Sequence, residues 1–347
     1  MSPLPAISVI MPCYNRAHDL MRTLQAFDRQ QGTQPFELIA IDDCSTDRTQ
    51  EVLCSYQPRL FELKVLRQDL NQGPAAARNR GLEHATAPLI LFVGDDILPD
   101  PYLVEGHLAA HRYYSQPEIG ILGHVVWAED LPVNTVMEHI QGIGAQQFSY
   151  YYLQDNQAYD FRHFYTANVS VKRDFLNSEG HPFDTSMRFY EDGELSYRMT
   201  KRGFRIIYSK LPVGYHYHYY SARTFADRQY RAGRGACLFV SKHPQVRPLI
   251  AGNGWKFKAT FWRLQAMVRD LPANLAQNLE IAVLQDLGAY EWCPHPRLDA
   301  RYMTVFSYFF IKGMVTGTFG DTFLARKIID HLALRRLSPL LNSRNFA

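Results

Sequence analysis

Residues 1–100 alternate apolar runs of strand length with segments of helical periodicity, and this rhythm restricts the fold more than any other feature of the chain. Residues 7–11, 36–41, 63–66 and 88–93 are predicted strands, with predicted helices between them. Strands and helices that alternate in this way pair in parallel through right-handed crossovers. We therefore expect an α/β protein with a single Rossmann-like, mainly parallel sheet flanked by helices.

Local residue chemistry suggests where several of these elements begin and end. We expect Pro12 to end the first strand, Asn15 or Asp19 to cap the first helix, and Ser45 to cap the second. Further strands are predicted at residues 119–127, 164–171 and 204–208. The chain after Tyr220 is predicted to be helical, so the sheet is followed by a helical C-terminal extension.

Composition excludes several classes of protein. The 347 residues carry a formal net charge of +3, which is too small to indicate a nucleic-acid-binding surface. The five cysteines include no CxxC pair, so we expect a reducing compartment and neither a disulfide framework nor a zinc site. No apolar run reaches the roughly 18 residues of a membrane-spanning helix, and no signal peptide is recognisable. We therefore expect a cytoplasmic protein.

Two pairs of adjacent carboxylates follow predicted strands. Asp42 and Asp43 follow the second strand, and Asp95 and Asp96 follow the fourth. Doubly wound sheets bind ligands beyond the carboxyl ends of their strands, so we expect both pairs to face one cleft. Hard oxygen ligands in such a position suit Mg²⁺ or Mn²⁺, whose shell is often completed by substrate phosphates. For Asp95 and Asp96 the structural alternative is an Asx turn or a helix cap. For the segment of Asp42 and Asp43 it is that Ser45 and Asp47 cap the next helix, which is compatible with a ligand role for the acidic pair because different residues are used.

A second group of titratable residues lies later in the chain. Glu191, Asp192 and Glu194 lie at the start of a predicted helix, where they either stabilise its N-terminus or supply a general base. His216 and His218 are two residues apart and would share one face of a strand. Metal binding and aromatic packing are both open interpretations of these histidines.

Five segments, taken together, resemble the family-2 glycosyltransferases in their order and separation. They are SVIMPCYNR, LIAIDDCSTDRT, NQGPAAARNRGL, ILFVGDDILPD and YEDGELSYRM. The resemblance covers roughly residues 5–240 and extends to the bacterial, polysaccharide-building branch. It implies a GT-A fold and an inverting transfer of a sugar from a nucleotide sugar to a hydroxyl group. Residues 1–240 would then be the catalytic domain, with a nucleotide-binding half at about 1–100, an acceptor half at about 101–240, and a helical region at 241–347.

The resemblance also implies roles for individual residues. A nucleotide-binding role falls on Pro12, Tyr14, Asn15, Asp43, Gly73, Arg78, Asn79 and Asp95. Within this set, Asp43 is expected to accept a hydrogen bond from the base. We expect its replacement by alanine to weaken nucleotide binding and to spare the fold, because a strand-end side chain that faces a cleft has no role in the core.

The implied metal site and general base come from separate segments. Asp95 and Asp96 occupy the place of the family's metal-binding motif, although Val93 replaces the first aspartate of the commonest form. His216 or His218 is expected to complete the site, and the implied cofactor is Mn²⁺ or Mg²⁺. Asp192 matches the family's catalytic base, and Glu191 and Glu194 are its possible supporting residues.

The expected substrates are a nucleotide-sugar donor, with a UDP-sugar favoured, and a glycan or lipid-linked glycan acceptor. The transferred group is expected to be a hexosyl or N-acetylhexosaminyl group. Basic amphipathic segments at residues 255–271 and 324–341 suggest peripheral contact with the inner membrane face, although packing within their own domain explains them equally well.

Other classes of protein remain as alternatives. One is a non-catalytic nucleotide-sugar-binding module, which would be expected to lose the base or the metal carboxylates. Another is a nucleotide-sugar pyrophosphorylase, which would carry a glycine-rich loop after its first strand, where this chain has MPCYNRAHD. A Rossmann dehydrogenase would need GxGxxG at the same place.

Overall fold

The computed structural model describes residues 4–32, 34–143, 147–177, 182–250, 274–293 and 297–342. The chain forms two compact units, of which the first consists of residues 1–132 and 148–218. The second consists of residues 133–147 and 219–347. The boundary expected at residue 240 lies inside a long helix, Ala222–Lys242, and the contacts divide the chain near residue 218 instead. The second unit also takes in the insertion at residues 133–147 from within the sheet-forming part.

All nine strands in the described part of the chain belong to the first unit. They are β1 (Ile7–Cys13), β2 (Phe36–Asp42), β3 (Glu62–Arg67), β4 (Leu89–Val93), β5 (Ile97–Pro99), β6 (Ile119–Trp127), β7 (Ala158–Tyr159), β8 (Asn168–Lys172) and β9 (Arg205–His216). The described α-helices of both units, in chain order, are α1 (Leu20–Phe27), α2 (Thr49–Ser55), α3 (Pro74–His84), α4 (Leu103–Tyr113), α5 (Thr135–Ile143), α6 (Arg173–Asn177), α7 (Glu191–Thr200), α8 (Ala222–Lys242), α9 (Arg247–Ile250), α10 (Leu275–Gly288), α11 (Leu298–Phe319), α12 (Phe323–Arg336) and α13 (Ser338–Asn342). Helices α5 and α8 to α13 belong to the second unit.

The strands form a single sheet in the order β3-β2-β1-β4-β8-β6-β9-β5, with β7 paired to β9. Strands β3, β2, β1 and β4 are all parallel, which confirms the prediction for the first half of the chain. Strand β8 runs antiparallel to both β4 and β6, and β6 is parallel to β9. Strands β1, β2, β4 and β9 therefore run in one direction, and their carboxyl ends meet at the same edge of the sheet.

Several predicted boundaries differ from the structure for identifiable reasons. Pro12 lies inside β1 and does not end it, because β1 pairs with β4 only as far as Ile10 and the missing N–H of Pro12 falls beyond that ladder. Ser45 does not cap α2, which begins at Thr49. Asp19 flanks α1 as expected, without a capping hydrogen bond from its side chain.

Two later strands also differ from their predicted lengths. Strand β8 begins at Asn168, later than expected, because residues 165–168 form a turn in which the Asn168 N–H donates to the Tyr165 carbonyl at 3.0 Å. Strand β9 extends for 12 residues, well beyond the predicted end at residue 208.

The sheet is buried on both faces, as is usual for parallel sheets. Alternate residues of β1 show this arrangement, because Ile10 belongs to one apolar cluster while Val9 and Met11 belong to another. The central strands are consequently held rigidly, and the loops that follow them begin from fixed positions.

In the second unit, helices α8 and α11 pack with their backbones in close approach. A Cβ atom added at Gly233 of α8 would lie 1.9 Å from the carbonyl oxygen of Phe310, and one at Gly313 of α11 would lie 2.0 Å from that of Tyr230. Glycine at these two positions therefore permits the contact. Of the two basic segments, residues 255–271 lie outside the described residues, and residues 324–341 fall in α12 and α13. Within the described ranges, none of the helices combines the length and the apolar character that crossing a bilayer requires.

Candidate active site

The loops after β1 and β2 are joined by hydrogen bonds at the carboxyl edge of the sheet. The backbone N–H of Asn15 donates to the Ser45 hydroxyl at 2.9 Å, and the Asn15 side-chain oxygen accepts from the N–H of Thr46 at 2.8 Å. Asn15 has a positive φ of 52°, a conformation that asparagine tolerates better than most residues. These contacts fix the loop on which Tyr14 exposes 46% of its surface, beside the partly buried Pro12.

Asp43 is buried, with only 4% of its surface exposed, and its carboxylate accepts three hydrogen bonds. Oδ1 accepts from the Gln68 side chain and from the N–H of Gln72, and Oδ2 accepts from the N–H of Gly73 at 2.8 Å. We expected Asp43 to have no role in the fold, but its carboxylate holds the loop of residues 68–73 in place through these hydrogen bonds. Oδ2 keeps one lone pair that a ligand N–H can use.

The next three residues expected to bind nucleotide lie immediately before α3 and within it. Gly73 has a φ of +90° and precedes the helix, where a side chain would be strained. The Asn79 amide donates to the carbonyl of Phe183 at 2.8 Å and accepts from its N–H at 2.9 Å. Arg78 donates to Glu191 Oε1 at 2.8 Å in a buried ion pair. Asn79 and Arg78 therefore connect α3 to residues that precede and begin α7.

The acidic pair after β4 has a cationic partner that we did not anticipate. Arg16 Nε lies 3.2 Å from Asp95 Oδ1, and Arg16 Nη2 lies 2.7 Å from Asp96 Oδ2. Asp95 Oδ2 also accepts from the N–H of Tyr14 at 3.2 Å. Burial raises the pKa of Asp95, even though Arg16 opposes this effect. Burial also acts to raise the pKa of Asp96, but His216, His218 and Arg16 outweigh it and hold this pKa well below its usual value.

The end of β9 brings both predicted histidines to Asp96. Asp96 Oδ2 lies 3.4 Å from His216 Nε2 and 3.2 Å from His218 Nδ1, and one ligand atom from each of the three residues lies within 4.8 Å of the others. The buried His216 ring stacks on Trp127 at 5.1 Å, which fixes its orientation. One carboxylate and two imidazoles fit a divalent transition ion such as Mn²⁺ better than Mg²⁺, which prefers oxygen ligands.

The three acids at the start of α7 have different partners. Glu191 pairs with Arg78, and Glu194 pairs with Arg198 at 2.9 Å, so both serve buried or half-buried ion pairs. Asp192 is partly exposed and forms no ion pair with another described residue, and its Oδ1 accepts from the N–H of Gly193 at 2.7 Å. Burial and then the charge of Glu191 raise the pKa of Asp192 to about 7, against the opposing effect of Arg78. Asp192 is therefore the member of this group whose carboxylate is suited to exchange a proton.

Aromatic side chains pack beside His216. The Phe148 ring lies 6.0 Å from His216 and 5.2 Å from Tyr165. Burial raises the pKa of Tyr165 against the opposing hydrogen bonds from Ser149, and the charges of Tyr152 and Asp192 add to the increase. His216 therefore packs against an aromatic group that includes Phe148 and Tyr165.

Sequence patterns did not single out Arg16 or Phe148 as residues of this site, whereas Tyr165 ends the Gln- and Tyr-rich segment, residues 146–165, whose tyrosines we expected to meet the acceptor. Arg16 follows the end of β1, and the predicted parallel order already placed that end beside β4. Its contact with Asp95 could therefore have been predicted from the sequence. Phe148 and Tyr165 lie in a segment with little periodicity, and we found no sequence pattern that specifies their positions.

Comparison with known proteins agrees with this architecture. Residues 8–178 match the family model described as Glycosyl transferase family 2. The chain is 32% identical over 278 residues to a validoxylamine A glucosyltransferase of Streptomyces hygroscopicus subsp. jinggangensis, a match that covers 71% of this chain and 63% of that protein. It is 27% identical over 285 residues to glycosyltransferase AglE of Haloferax volcanii, with coverage of 80% and 86%. The match to the validoxylamine enzyme thus spans less than two thirds of that protein's length.

Solved structures show the same fold. The structure of S. aureus TarS 1-349 in complex with UDP has a TM-score of 0.52 at 15% identity, covering 91% of this chain and 92% of that one. The mannosyltransferase PcManGT from Pyrobaculum calidifontis, in complex with GDP-Man and Mn2+, has a TM-score of 0.54 at 18% identity, covering 92% and 89%. Together with the mixed sheet and its flanking helices, these findings show that the chain has a GT-A fold and that its residues 8–178 belong to glycosyltransferase family 2.

Proposed function

We propose that the protein is an inverting glycosyltransferase that moves a sugar from a nucleoside-diphosphate sugar to a hydroxyl group of a glycan or lipid-linked glycan. The observation that carries this proposal is Asp192, a partly exposed carboxylate with a raised pKa in the same compact unit as the Asp43 loop and the Asp96 cluster. Family membership supports the reaction class.

The proposed chemistry assigns one proton transfer to Asp192. An acceptor hydroxyl has a high pKa and needs a base only as it attacks the anomeric carbon. A positioned carboxylate contributes roughly 10²–10⁴-fold to such a step. A base with a pKa near the working pH is well matched to accept the proton and then release it. In-line displacement needs the base and the leaving group on opposite sides of the sugar, which suits residues from two distant segments.

The donor side of the site is assigned to the loops after β1 and β2. Asp43 Oδ2 has room for one more hydrogen bond, such as one from the N–H of a pyrimidine base. The exposed Tyr14 ring lies on a loop that Asn15 anchors, and is available to stack on the base. A UDP-sugar is the favoured donor, in keeping with the UDP complex of TarS. A hexosyl group is the favoured transferred group, in keeping with the similarity to a glucosyltransferase and a mannosyltransferase.

A divalent cation is proposed as the cofactor, with Mn²⁺ favoured over Mg²⁺. Asp96, His216 and His218 would hold it, and the Mn2+ in the mannosyltransferase complex is consistent with this choice. When bound, such an ion acts as a Lewis acid that stabilises charge on the leaving diphosphate. The alternative of a non-catalytic binding module is disfavoured because the base and the metal-type ligands are both present.

Contact with an anionic membrane surface, near a lipid-linked acceptor, belongs to the same proposal. Helix α12 exposes Phe323, at 77%, together with the basic residues Arg326 and Arg335. Aromatic and basic side chains together favour an anionic lipid interface. Sedimentation with anionic liposomes at low and high salt tests this part, because docking of this kind weakens with salt. No pelleting at low salt would leave α12 without a membrane role.

The central experiment combines a donor screen with a base substitution. The purified protein is incubated with UDP-, GDP- and dTDP-sugars in Mn²⁺ or Mg²⁺, and donor hydrolysis or transfer is measured. With the active donor, Asp192→Asn is expected to lower turnover by about 10²-fold or more and to retain donor affinity. The control is Asp174→Asn, an exposed aspartate of α6 that should behave as wild type. Normal turnover in Asp192→Asn would remove the base role from this residue.

A further inference from the structure

Arg16 forms ion pairs with atoms that a divalent cation at the proposed site would also use. Its guanidinium contacts Asp95 at 3.2 Å, Asp96 at 2.7 Å and His218 Nδ1 at 3.2 Å. Asp96 Oδ2 and His218 Nδ1 are atoms that would hold a divalent cation. The arginine therefore occupies part of the coordination space that such an ion would need.

Electrostatics make joint occupation of this position unfavourable. The guanidinium is always charged, because its pKa is above about 12. A divalent ion bound to the same carboxylate oxygen would lie within a few ångströms of Arg16 and would repel it strongly in a mostly buried setting. The side chain of Arg16 exposes 22% of its surface and that of Asp96 exposes 16%, so water screens this repulsion only in part.

The backbone of Arg16 is held by a hydrogen bond, whereas its side chain is partly exposed. Its N–H donates to the Thr49 hydroxyl at 2.7 Å, within the joined loops after β1 and β2. Movement of the guanidinium away from Asp96 therefore needs only side-chain rotation. The loop that carries Arg16 also carries Tyr14, so the freed guanidinium would remain beside the nucleotide site.

We propose that Arg16 is an exchange residue: it neutralises Asp95 and Asp96 in the donor-free protein, yields Asp96 to the divalent cation, and then pairs with the donor's diphosphate. This inference rests on the proposed function, because it requires a diphosphate and a cation at this site. Its consequence is that cation and nucleotide bind cooperatively. The cation alone must displace the guanidinium without compensation, whereas a diphosphate gives the guanidinium a new anionic partner.

Mn²⁺ binding measured by electron paramagnetic resonance of the free ion tests the proposal without any activity assay. Wild-type protein is expected to bind Mn²⁺ weakly alone and at least tenfold more tightly with UDP. Arg16→Gln is expected to bind Mn²⁺ alone at least tenfold more tightly than wild type, and UDP should add little. Arg112→Gln is the control, because Arg112 is an exposed arginine of the same unit that pairs with Glu105 and should leave Mn²⁺ binding unchanged.

Arg16→Lys provides a second variant if the glutamine protein fails to fold, as judged by circular dichroism. Lysine keeps the charge but lacks the planar fork that reaches both carboxylates, so Mn²⁺ alone should bind more tightly than to wild type and less tightly than to Arg16→Gln. Unchanged or weaker Mn²⁺ affinity in the folded Arg16 variants, with normal Mn²⁺ and UDP binding in wild type, would overturn the exchange role alone. Failure of wild type to bind either Mn²⁺ or UDP would instead overturn the proposed function.

Discussion

Replacement of Asp43 by alanine should destabilise the fold as well as weaken nucleotide binding. The change removes a charged acceptor from three donors, of which the Gln68 side chain and the Gly73 N–H are buried. A buried donor left without a partner costs about 1–3 kcal/mol. The Gln72 N–H belongs to an exposed residue and can turn to water. Because water can also enter the space left by the carboxylate, we expect a loss of about 3 kcal/mol in the free energy of unfolding.

Urea unfolding followed by circular dichroism measures this loss, and calorimetry of UDP binding with the same protein measures the ligand effect. Asp43→Asn keeps one acceptor oxygen and should lose about half as much stability as Asp43→Ala. The control is Asp69→Ala, which removes an exposed carboxylate from the adjoining loop and should change the free energy of unfolding by less than about 0.5 kcal/mol.

Two results would contradict this reasoning about Asp43. If Asp43→Ala unfolds with wild-type stability, the three hydrogen bonds do not hold the loop of residues 68–73. If the variant is destabilised yet binds UDP with wild-type affinity at a temperature where it remains folded, Asp43 supports the loop and does not contact the base.

Three further predictions concern pH and packing. The rate of transfer at saturating donor should fall as pH drops through about 7, because Asp192 with its raised pKa becomes protonated and no longer accepts a proton; a pH-independent rate between pH 6 and 8 would argue against it. Gly233→Ala should lower the free energy of unfolding by about 2 kcal/mol or more, because the added Cβ would lie 1.9 Å from a carbonyl oxygen. The control is Gly288→Ala, whose added Cβ meets no atom within 4 Å and should not destabilise the protein. Thermal unfolding of both variants measures the difference. Burial lowers the pKa of His107 to about 4 and that of His111 to about 2, whereas the same side chains in the unfolded chain have a pKa of 6.5. Because only the unfolded chain gains these protons between pH 6.5 and 5, the free energy of unfolding should fall by about 1.5 kcal/mol per histidine over that range. Urea unfolding of His107→Gln should show a smaller decrease in stability over the same pH range.

The sequence by itself determined the first half of the sheet and the chemical character of the site. Strand β2 could be predicted because an apolar run and a following acidic pair are local patterns, readable without knowledge of distant residues. The position of Asp95 and Asp96 at the carboxyl edge of the sheet followed from the parallel order of strands. The ordered motifs then indicated the family, which the comparisons confirmed.

The tertiary structure decided which charged groups meet. Arg16 and His218 are 202 residues apart yet lie 3.2 Å from each other, and Arg78 meets Glu191 across 113 residues. Glu191, Asp192 and Glu194 look alike in the sequence, and their difference arises because, among the residues that the structure describes, arginines form ion pairs with the first and the last but not with Asp192. Periodicity reports the face on which a side chain lies within its own element, whereas charge pairing depends on how distant elements pack. The same limit explains why residues 133–147, which interrupt the first unit in sequence, belong to the second unit in space.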